Sequence, residues 1–279
     1  MVKGKIRIGH SPDADDAFMF YGIASGKVDT GGLTISHVVE EIQSLNERAL
    51  RGELEVTAVS AYAFFQMTGS YSLMTCGASI GDNYGPVIVS KTLRYPKEIK
   101  GKRVAVPGKW TTAHLMLKLY EADFIPLFLP FTEVLGAVER GEADAALVIH
   151  EGQVTYSEKG FIKVIDLGEW YYEMTRQPLP LGVDVVRTNL GADLMRKIQR
   201  VFRDSIVYAL DHRDEALDYA MRYGRETPRE VIDRFVGMYV NDLTVDMGKR
   251  GKEGLMHLHK SAVASGLAQP RPPIQFVPK

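Results

Sequence analysis

Short apolar runs alternate with stretches of helical periodicity over the first two thirds of the chain. Runs typical of strands occur at residues 5–9, 33–39, 55–59, 87–90, 103–106, 127–129, 145–149 and 163–167. Stretches with helical spacing of apolar residues lie between them, at residues 17–24, 42–50, 61–67, 113–121 and 132–140. Because strands that alternate with helices usually build a parallel sheet covered by helices, this pattern predicts an α/β fold.

The last third of the chain has a different pattern. An extended segment at 181–187 is followed by helical stretches at about 191–210, 213–223, 228–239 and 250–265. This return to helices predicts that a first lobe, residues 1–88 and 184–279, is interrupted by a second lobe, residues 89–183. The extended segments near 87–90 and 181–187 would cross between the lobes. Because two crossings form a hinge, we expect a small ligand to bind in the cleft between the lobes.

Polar or small residues follow several of the predicted strands. In open α/β sheets the carboxyl ends of the strands line the crevice that binds the ligand. Four segments share this placement: residues 11–16, which begin with Ser11; Ser60 with Ala61; Thr111 with Thr112; and His150 with Glu151. We therefore expect all four segments to face one cleft.

Thr111 and Thr112 open a predicted helix shortly after Gly108. The free N–H groups and the dipole at a helix start favour an anion such as a carboxylate or a phosphate. Threonine is also a common helix cap, so a structural role for these hydroxyls stays open as an alternative. Ser60, at the start of another predicted helix, carries the same two interpretations.

His150 directly follows an apolar strand, AALVI. Histidine has an ordinary pKa of about 6.5, so its imidazole can accept a proton near neutral pH. We therefore name His150 as the candidate general base. The alternative is a structural histidine whose ring is held by the protein. Glu151 would orient the ring, cap the following turn or lie in solvent.

Asp13, Asp15 and Asp16 form an acidic run that resembles the start of a calcium loop. The run lacks the remaining ligands and the later glutamate of such a loop. We therefore predict no metal site here, and a turn with a helix N-cap instead.

Composition narrows the partners of the protein. The chain has 34 Lys and Arg against 35 Asp and Glu, a formal net charge of -1, so we expect no nucleic-acid or membrane partner. Its only cysteine, Cys76, cannot form an internal disulfide. The N-terminal residues lack the apolar run of a secretory signal, so we expect a cytoplasmic protein. We expect no cofactor, and the oligomeric state is not predicted.

Five segments together resemble a known enzyme family. They are SPDADDAFMFYGI, VSAYAF, VAVPGKWTTAHLML, LVIHEGQVTY and DLGEWYYEMTRQPLPLG. In this order they are similar to the menaquinone-biosynthesis lyases of the futalosine route, and most of all to the branch that makes 1,4-dihydroxy-6-naphthoate. The resemblance implies a type II periplasmic-binding-protein-like fold, with two α/β lobes joined by two crossover strands. It also implies that cyclic dehypoxanthinyl futalosine is converted to the naphthoate.

The resemblance further implies roles for individual residues. His150 matches the proton acceptor of the family, and Thr111 with Thr112 matches its paired substrate-binding threonines. Ser60 matches a serine of the first lobe, beside which Ala58 and Val59 would bind substrate mainly through their backbone. Ser11 belongs to the substrate-binding set through its place after the first strand. A small-molecule carboxylate is the expected partner.

The chain also departs from the family pattern. It reads SPDADDA where the family reads more like SPCPNDT, and Ala58 stands where some members carry a lysine. A lost cation and an added acid near a cleft alter which substrate fits. The alternatives are therefore chorismate dehydratase of the same route, a relative with another substrate, and a small-carboxylate receptor without catalytic activity.

Overall fold

The computed structural model describes residues 5–224 and 227–278, which contain eleven strands in two sheets. The strands are β1 (Lys5–His10), β2 (Thr34–Val39), β3 (Val56–Ser60), β4 (Tyr71–Leu73), β5 (Ser79–Gly81), β6 (Val87–Ser90), β7 (Arg103–Val106), β8 (Ile125–Phe128), β9 (Ala145–Val148), β10 (Ile162–Asp166) and β11 (Leu179–Arg187). The first sheet has the order β2-β1-β3-β11-β4, with β5 also paired to β11. The second sheet has the order β10-β6-β9-β7-β8.

Both sheets are mixed, which corrects the expectation of a parallel sheet. In the first sheet β1 is parallel to β2 and β3, but β11 is antiparallel to β3, β4 and β5. In the second sheet β7 is parallel to β8 and β9, but β6 is antiparallel to β9 and β10. The antiparallel pairs therefore involve β6 and β11, the strands that follow the passages between the two sheets. The resulting α/β architecture with two sheets agrees with the expected fold class.

Twelve α-helices cover these sheets in the described residues. They are α1 (Ala14–Ala24), α2 (Ile42–Leu50), α3 (Ala61–Phe64), α4 (Thr112–Tyr120), α5 (Val134–Glu139), α6 (Gly152–Thr155), α7 (Leu167–Thr175), α8 (Ala192–Asp211), α9 (Arg213–Ala220), α10 (Arg229–Tyr239), α11 (Asp242–Val245) and α12 (Gly248–Ala264). Short 3₁₀ turns occur at Pro96–Ile99, Tyr156–Lys159 and Thr188–Leu190. No helix of the described chain is both long and apolar enough to cross a membrane.

Helix α8 shows how the apolar pattern packs the first sheet. Its buried residues include Ile198, Val201 and Phe202, spaced three and four apart so that they share one face. This face packs against α1, which is buried along nearly its whole length. Each such large apolar side chain removed from water stabilises the fold by about 1.5–3 kcal/mol. The packing fixes α1, and therefore the polar residues at its start, against the first sheet.

Two segments, 82–86 and 167–178, connect the sheets. They touch at Gly168, where an added Cβ would lie 2.1 Å from the carbonyl carbon of Tyr84. Glycine is therefore required at this position by the close approach of two backbones. The sheets change between Gly81 and Val87 and again between Asp166 and Leu179. The lobe boundaries at 88/89 and 183/184 stay a prediction.

Candidate functional site

A cavity lies between the two sheets, at the ends of strands from both. It encloses about 690 Å³ of space, the open solvent at its mouth included. The structure brings together here all the predicted substrate-binding residues: Ser11, Ala58, Val59, Ser60, Thr111 and Thr112. His150 is outside this lining set, although its neighbour Ile149 belongs to it.

Ser60 is held in place by a side chain that the sequence analysis missed. The N–H of Ser60 donates to Oδ1 of Asn46 at 2.8 Å, and Nδ2 of Asn46 donates to Oγ of Ser60 at 3.1 Å. The Ser60 side chain makes no capping bond to α3, so the capping interpretation does not describe it. Because the Ser60 oxygen accepts the bond from Asn46, the proton of its hydroxyl is available to a ligand. Asn46 is fully buried in α2, and a polar residue on the inward face of a predicted helix was the signal for it.

Thr111 and Thr112 both use their hydroxyls within the protein. Thr111 caps α4, since its Oγ1 accepts from the N–H of His114 at 3.2 Å. The Thr112 hydroxyl donates to the carbonyl oxygen of Leu181 at 2.6 Å and accepts from the N–H of Tyr62 at 3.2 Å. Thr112 therefore ties α4 to β11 and α3. What the helix start offers a ligand is its backbone N–H groups, which by position have no acceptor within the helix.

His150 lies just beyond β9, with 13% of its side chain exposed. Its Nε2 is 3.0 Å from the carbonyl oxygen of Phe131, and its Nδ1 accepts from the N–H of Gly152 at 2.9 Å. A carbonyl can only accept, so these partners assign the proton of the neutral ring to Nε2. The lone pair that could take a proton is on Nδ1 and is bonded to Gly152. A Cβ at Gly152 would lie 2.7 Å from Cε1 of His150, so the ring rests against a residue without a side chain.

Side chains bridge the two sides of the cleft around the cavity. Glu151 is buried, and its Oε1 accepts from the N–H of Ala14 at the start of α1 at 3.3 Å. Its Oε2 lies 3.8 Å from Nδ1 of His150, so Glu151 is not in solvent. The hydroxyl of Tyr239 on α10 donates to Oε1 of Gln153 on α6 at 2.8 Å. These bonds hold the two sides in contact.

The acidic residues at the start of α1 face the cavity: Asp13, Asp15 and Asp16 all line it. Asp13 precedes α1, but its side chain makes no capping bond to the helix and accepts instead from the Ser11 hydroxyl at 2.9 Å. Asp13 is thus the N-cap residue of α1 by position, as predicted, and lies in a bend at residues 12–13, but its side chain does not bond to the helix. Within residues 5–224 and 227–278, no group of three or more His, Cys, Asp or Glu side chains is arranged to hold a metal.

Burial changes the acidity of Asp15 and Asp16. Burial, and the neighbouring carboxylates after it, raise the pKa of Asp15 well above its ordinary value. Burial also raises the pKa of Asp16 to about 7, against the opposing effect of the Ser11 N–H, which donates to Asp16 at 2.6 Å. Near neutral pH Asp15 therefore retains its proton, and Asp16 is partly protonated.

Asp184 of β11 joins the acidic group and was missed in the sequence analysis. It is 1% exposed, and burial raises its pKa well above the ordinary value, with Asp16 and Asp15 adding to the effect. A lone aspartate within the apolar run LGVDVV was the available signal. The cavity thus has hydroxyls and a helix start at one end and buried carboxyls at the other.

The comparisons with known proteins indicate one and the same family. A family model described as menaquinone biosynthesis matches residues 6–264. A protein of Thermus thermophilus named 1,4-dihydroxy-6-naphthoate synthase is 39% identical over 273 residues, which cover 98% of this chain and 99% of that protein.

Two solved structures show the fold. A crystal structure of an Archaeoglobus fulgidus protein is 46% identical, with a TM-score of 0.92, and the match covers 96% of this chain and all of that one. A Candida albicans protein with the generic periplasmic-binding-protein fold is 12% identical, with a TM-score of 0.72 over 99% of this chain and 98% of that one. The fold is therefore the type II periplasmic-binding-protein-like fold. The chain belongs to the menaquinone-biosynthesis family.

Proposed function

We propose that this protein is a carbon-carbon lyase that converts cyclic dehypoxanthinyl futalosine to 1,4-dihydroxy-6-naphthoate. The observation that carries the proposal is that Ser60, Thr111 and Thr112 line a single interlobe cavity next to His150. The name of the relative from Thermus thermophilus, a 1,4-dihydroxy-6-naphthoate synthase, supports the naphthoate as the product.

The end of the cavity at the start of α4 suits the carboxylate of such a substrate. The N–H groups at the start of α4 carry the positive end of the helix dipole, which favours an anion. The hydroxyl of Ser60 has a proton to donate, because its oxygen and its N–H are already bonded to Asn46. The two threonines contribute by fixing the helix start, since their hydroxyls are bonded to the protein.

His150 is the proposed proton acceptor. Abstraction of a proton from the cyclic substrate would start ring opening and fragmentation, and formation of the aromatic naphthoate would favour the products. The accepting atom is Nδ1, so the bond from the Gly152 N–H must be released first. Contact between the lobes across Glu151 and Gln153 would exclude water during this step.

The deciding experiment is a turnover assay on the purified protein with cyclic dehypoxanthinyl futalosine, in which formation of the naphthoate is followed. We expect turnover with this substrate and none with chorismate in a parallel assay. Turnover with chorismate alone would instead assign the dehydratase reaction. Binding of both compounds without turnover would indicate a receptor and overturn the proposal.

A further inference from the structure

Asp184 is the most deeply buried carboxyl of the cavity wall. It lies on β11, where it pairs in register with Ala58 of β3, and both residues line the cavity. The side chain is 1% exposed, and its Oδ1 is buried without a hydrogen-bond partner. An ionised carboxylate in such a position would be costly, because the oxygen is buried and no donor of the protein stabilises its charge.

The groups that face Asp184 add to this cost. Asp15 and Asp16 approach from α1, and the thiol of Cys76 lies in the segment before β5. Among the described residues that line the cavity there is no lysine or arginine. Several carboxyls that share a buried space without a cation cannot all be ionised.

The three carboxyls differ in how well an anion would be stabilised. Asp16 accepts the Ser11 N–H at 2.6 Å, and Asp15 accepts the Ser79 hydroxyl at 3.3 Å. Oδ1 of Asp184 has no such donor. No hydrogen-bond donor of the protein therefore favours the ionised form at this oxygen of Asp184.

The Asp184 carboxyl has room at its position because residue 77 is a glycine and has no side chain. A Cβ on Gly77 would lie 2.3 Å from Oδ2 of Asp184 and 2.3 Å from Cε1 of Phe202. Gly77 also has a φ of +87°, a conformation that L side chains rarely adopt. The carboxyl is thus confined between the backbone of Gly77 and the cavity.

We infer that Asp184 binds the ligand as a neutral carboxylic acid and donates its proton in a hydrogen bond to a carbonyl or hydroxyl oxygen of the ligand's ring system. That the acceptor is a ring oxygen rests on the proposed function, whereas the neutral state of Asp184 does not. The ligand then lies with its carboxylate toward the start of α4 and its ring oxygens toward Asp184. This separation keeps the ligand's negative charge away from the acidic end.

The test uses infrared difference spectroscopy of the whole protein at pH 7. A protonated carboxyl has a carbonyl stretching band that a carboxylate lacks, so wild type minus Asp184→Asn should show this band. Addition of 1,4-dihydroxy-6-naphthoate should shift the band. Absence of the band would overturn the inference whatever the turnover assay gives, and a band without turnover would count against the proposed function alone.

Binding measurements with the same naphthoate provide the second readout. Asp184→Ala should weaken binding about 10-fold, and Asp184→Asn, whose amide can still donate, should stay within about 3-fold of wild type. Asp166→Asn is the matched control, because Asp166 is also buried with a raised pKa but is outside the cavity lining. Unchanged binding by Asp184→Ala, or no binding by wild type, would overturn the contact. If Asp184→Ala does not fold, the isosteric Asp184→Asn decides, and a wild type minus Asp184→Asn acid band that the naphthoate leaves unshifted overturns the inference.

Discussion

The two ends of the interlobe cavity differ in how their buried polar groups are stabilised. At the α4 end, the hydroxyls of Thr111 and Thr112 are bonded to the protein, and the helix start provides partial positive charge. At the other end, Asp15, Asp16 and Asp184 are buried together without a lining cation, and their pKa values are raised.

The two ends of the cavity are far enough apart to bind different parts of one ligand. Thr112 bonds to Leu181, and Asp184 lies three residues further along the same strand, which is about 10 Å at the usual rise of about 3.3 Å per residue. One end is therefore prepared for an anion and the other for neutral oxygens. A ligand with a carboxylate on one side and ring oxygens on the other matches both.

The largest effect should come from His150→Ala. If the acidic end holds protons rather than taking them, the general base must lie elsewhere, and His150 is the candidate beside the cavity. We expect the variant to lose about 10²- to 10⁴-fold in kcat, because that is the usual contribution of a positioned acid or base. The measurement is steady-state turnover of cyclic dehypoxanthinyl futalosine.

The control for this loss is His212→Ala. His212 is exposed after α8 and stacks on Tyr208, away from the cavity lining, so its removal should leave kcat unchanged. Undiminished turnover by His150→Ala would show that His150 is not the base, and the assignment of proton transfer away from the acidic end would lose its support.

Asp16→Asn should change how stability depends on pH. The pKa of Asp16 is about 7 in the folded protein and about 3.8 when unfolded, so the folded state binds the extra proton between these values. The stability of wild type relative to the variant should therefore be highest below pH 4 and fall as the pH rises to about 7. The slope is about 1.4 kcal/mol per pH unit in this window.

The difference between the two proteins is the quantity to measure, by urea unfolding from pH 4 to pH 8. Burial lowers the pKa of His10 to about 4, and a histidine kept neutral in the folded state makes stability rise with pH over part of the same window. This contribution is common to both proteins and cancels in the difference. A difference that does not vary with pH would mean that folding does not raise the pKa of Asp16.

A smaller effect is expected at the α4 end from Thr112→Val. The change removes the donor to Leu181 and the acceptor for Tyr62 while keeping the side-chain shape, so one buried and one partly buried backbone group lose their partner. We expect a loss of about 1–3 kcal/mol in the free energy of unfolding, measured by thermal or urea denaturation.

Thr34→Val is the matched control at an exposed position of β2, where the change should stay within about 0.5 kcal/mol. Equal effects of the two variants would mean that the Thr112 hydroxyl does not support the interlobe contact.

Several features of the site followed from sequence patterns. Helix α2 was predicted at its observed bounds, and β6 and β7 likewise, because their apolar patterns are bounded by clear polar or glycine signals. Ser11, Ser60, Thr111 and Thr112, which the pattern placed after predicted strands, line one cavity, and so do Ala58 and Val59, which the family resemblance added. The short strands β4 and β5 were missed, because three residues are too few to show a period.

Other features could not follow from local pattern. Asn46 of α2 is hydrogen-bonded to Ser60, and the two ring nitrogens of His150 are hydrogen-bonded to Phe131 and Gly152. No spacing along the chain encodes such partners. The antiparallel direction of β6 and β11 was likewise hidden, because strand periodicity is the same in either direction.

The sequence by itself determined the alternation of strands and helices, and the placement of polar residues at strand ends, because both depend on neighbours within a few positions. Only the tertiary structure decided that Asp184 meets Asp15 and Asp16 in one buried space. Their acidity depends on burial and on charges brought from segments about 170 residues apart in the chain. The chemical difference between the two ends of the cavity is therefore a product of folding.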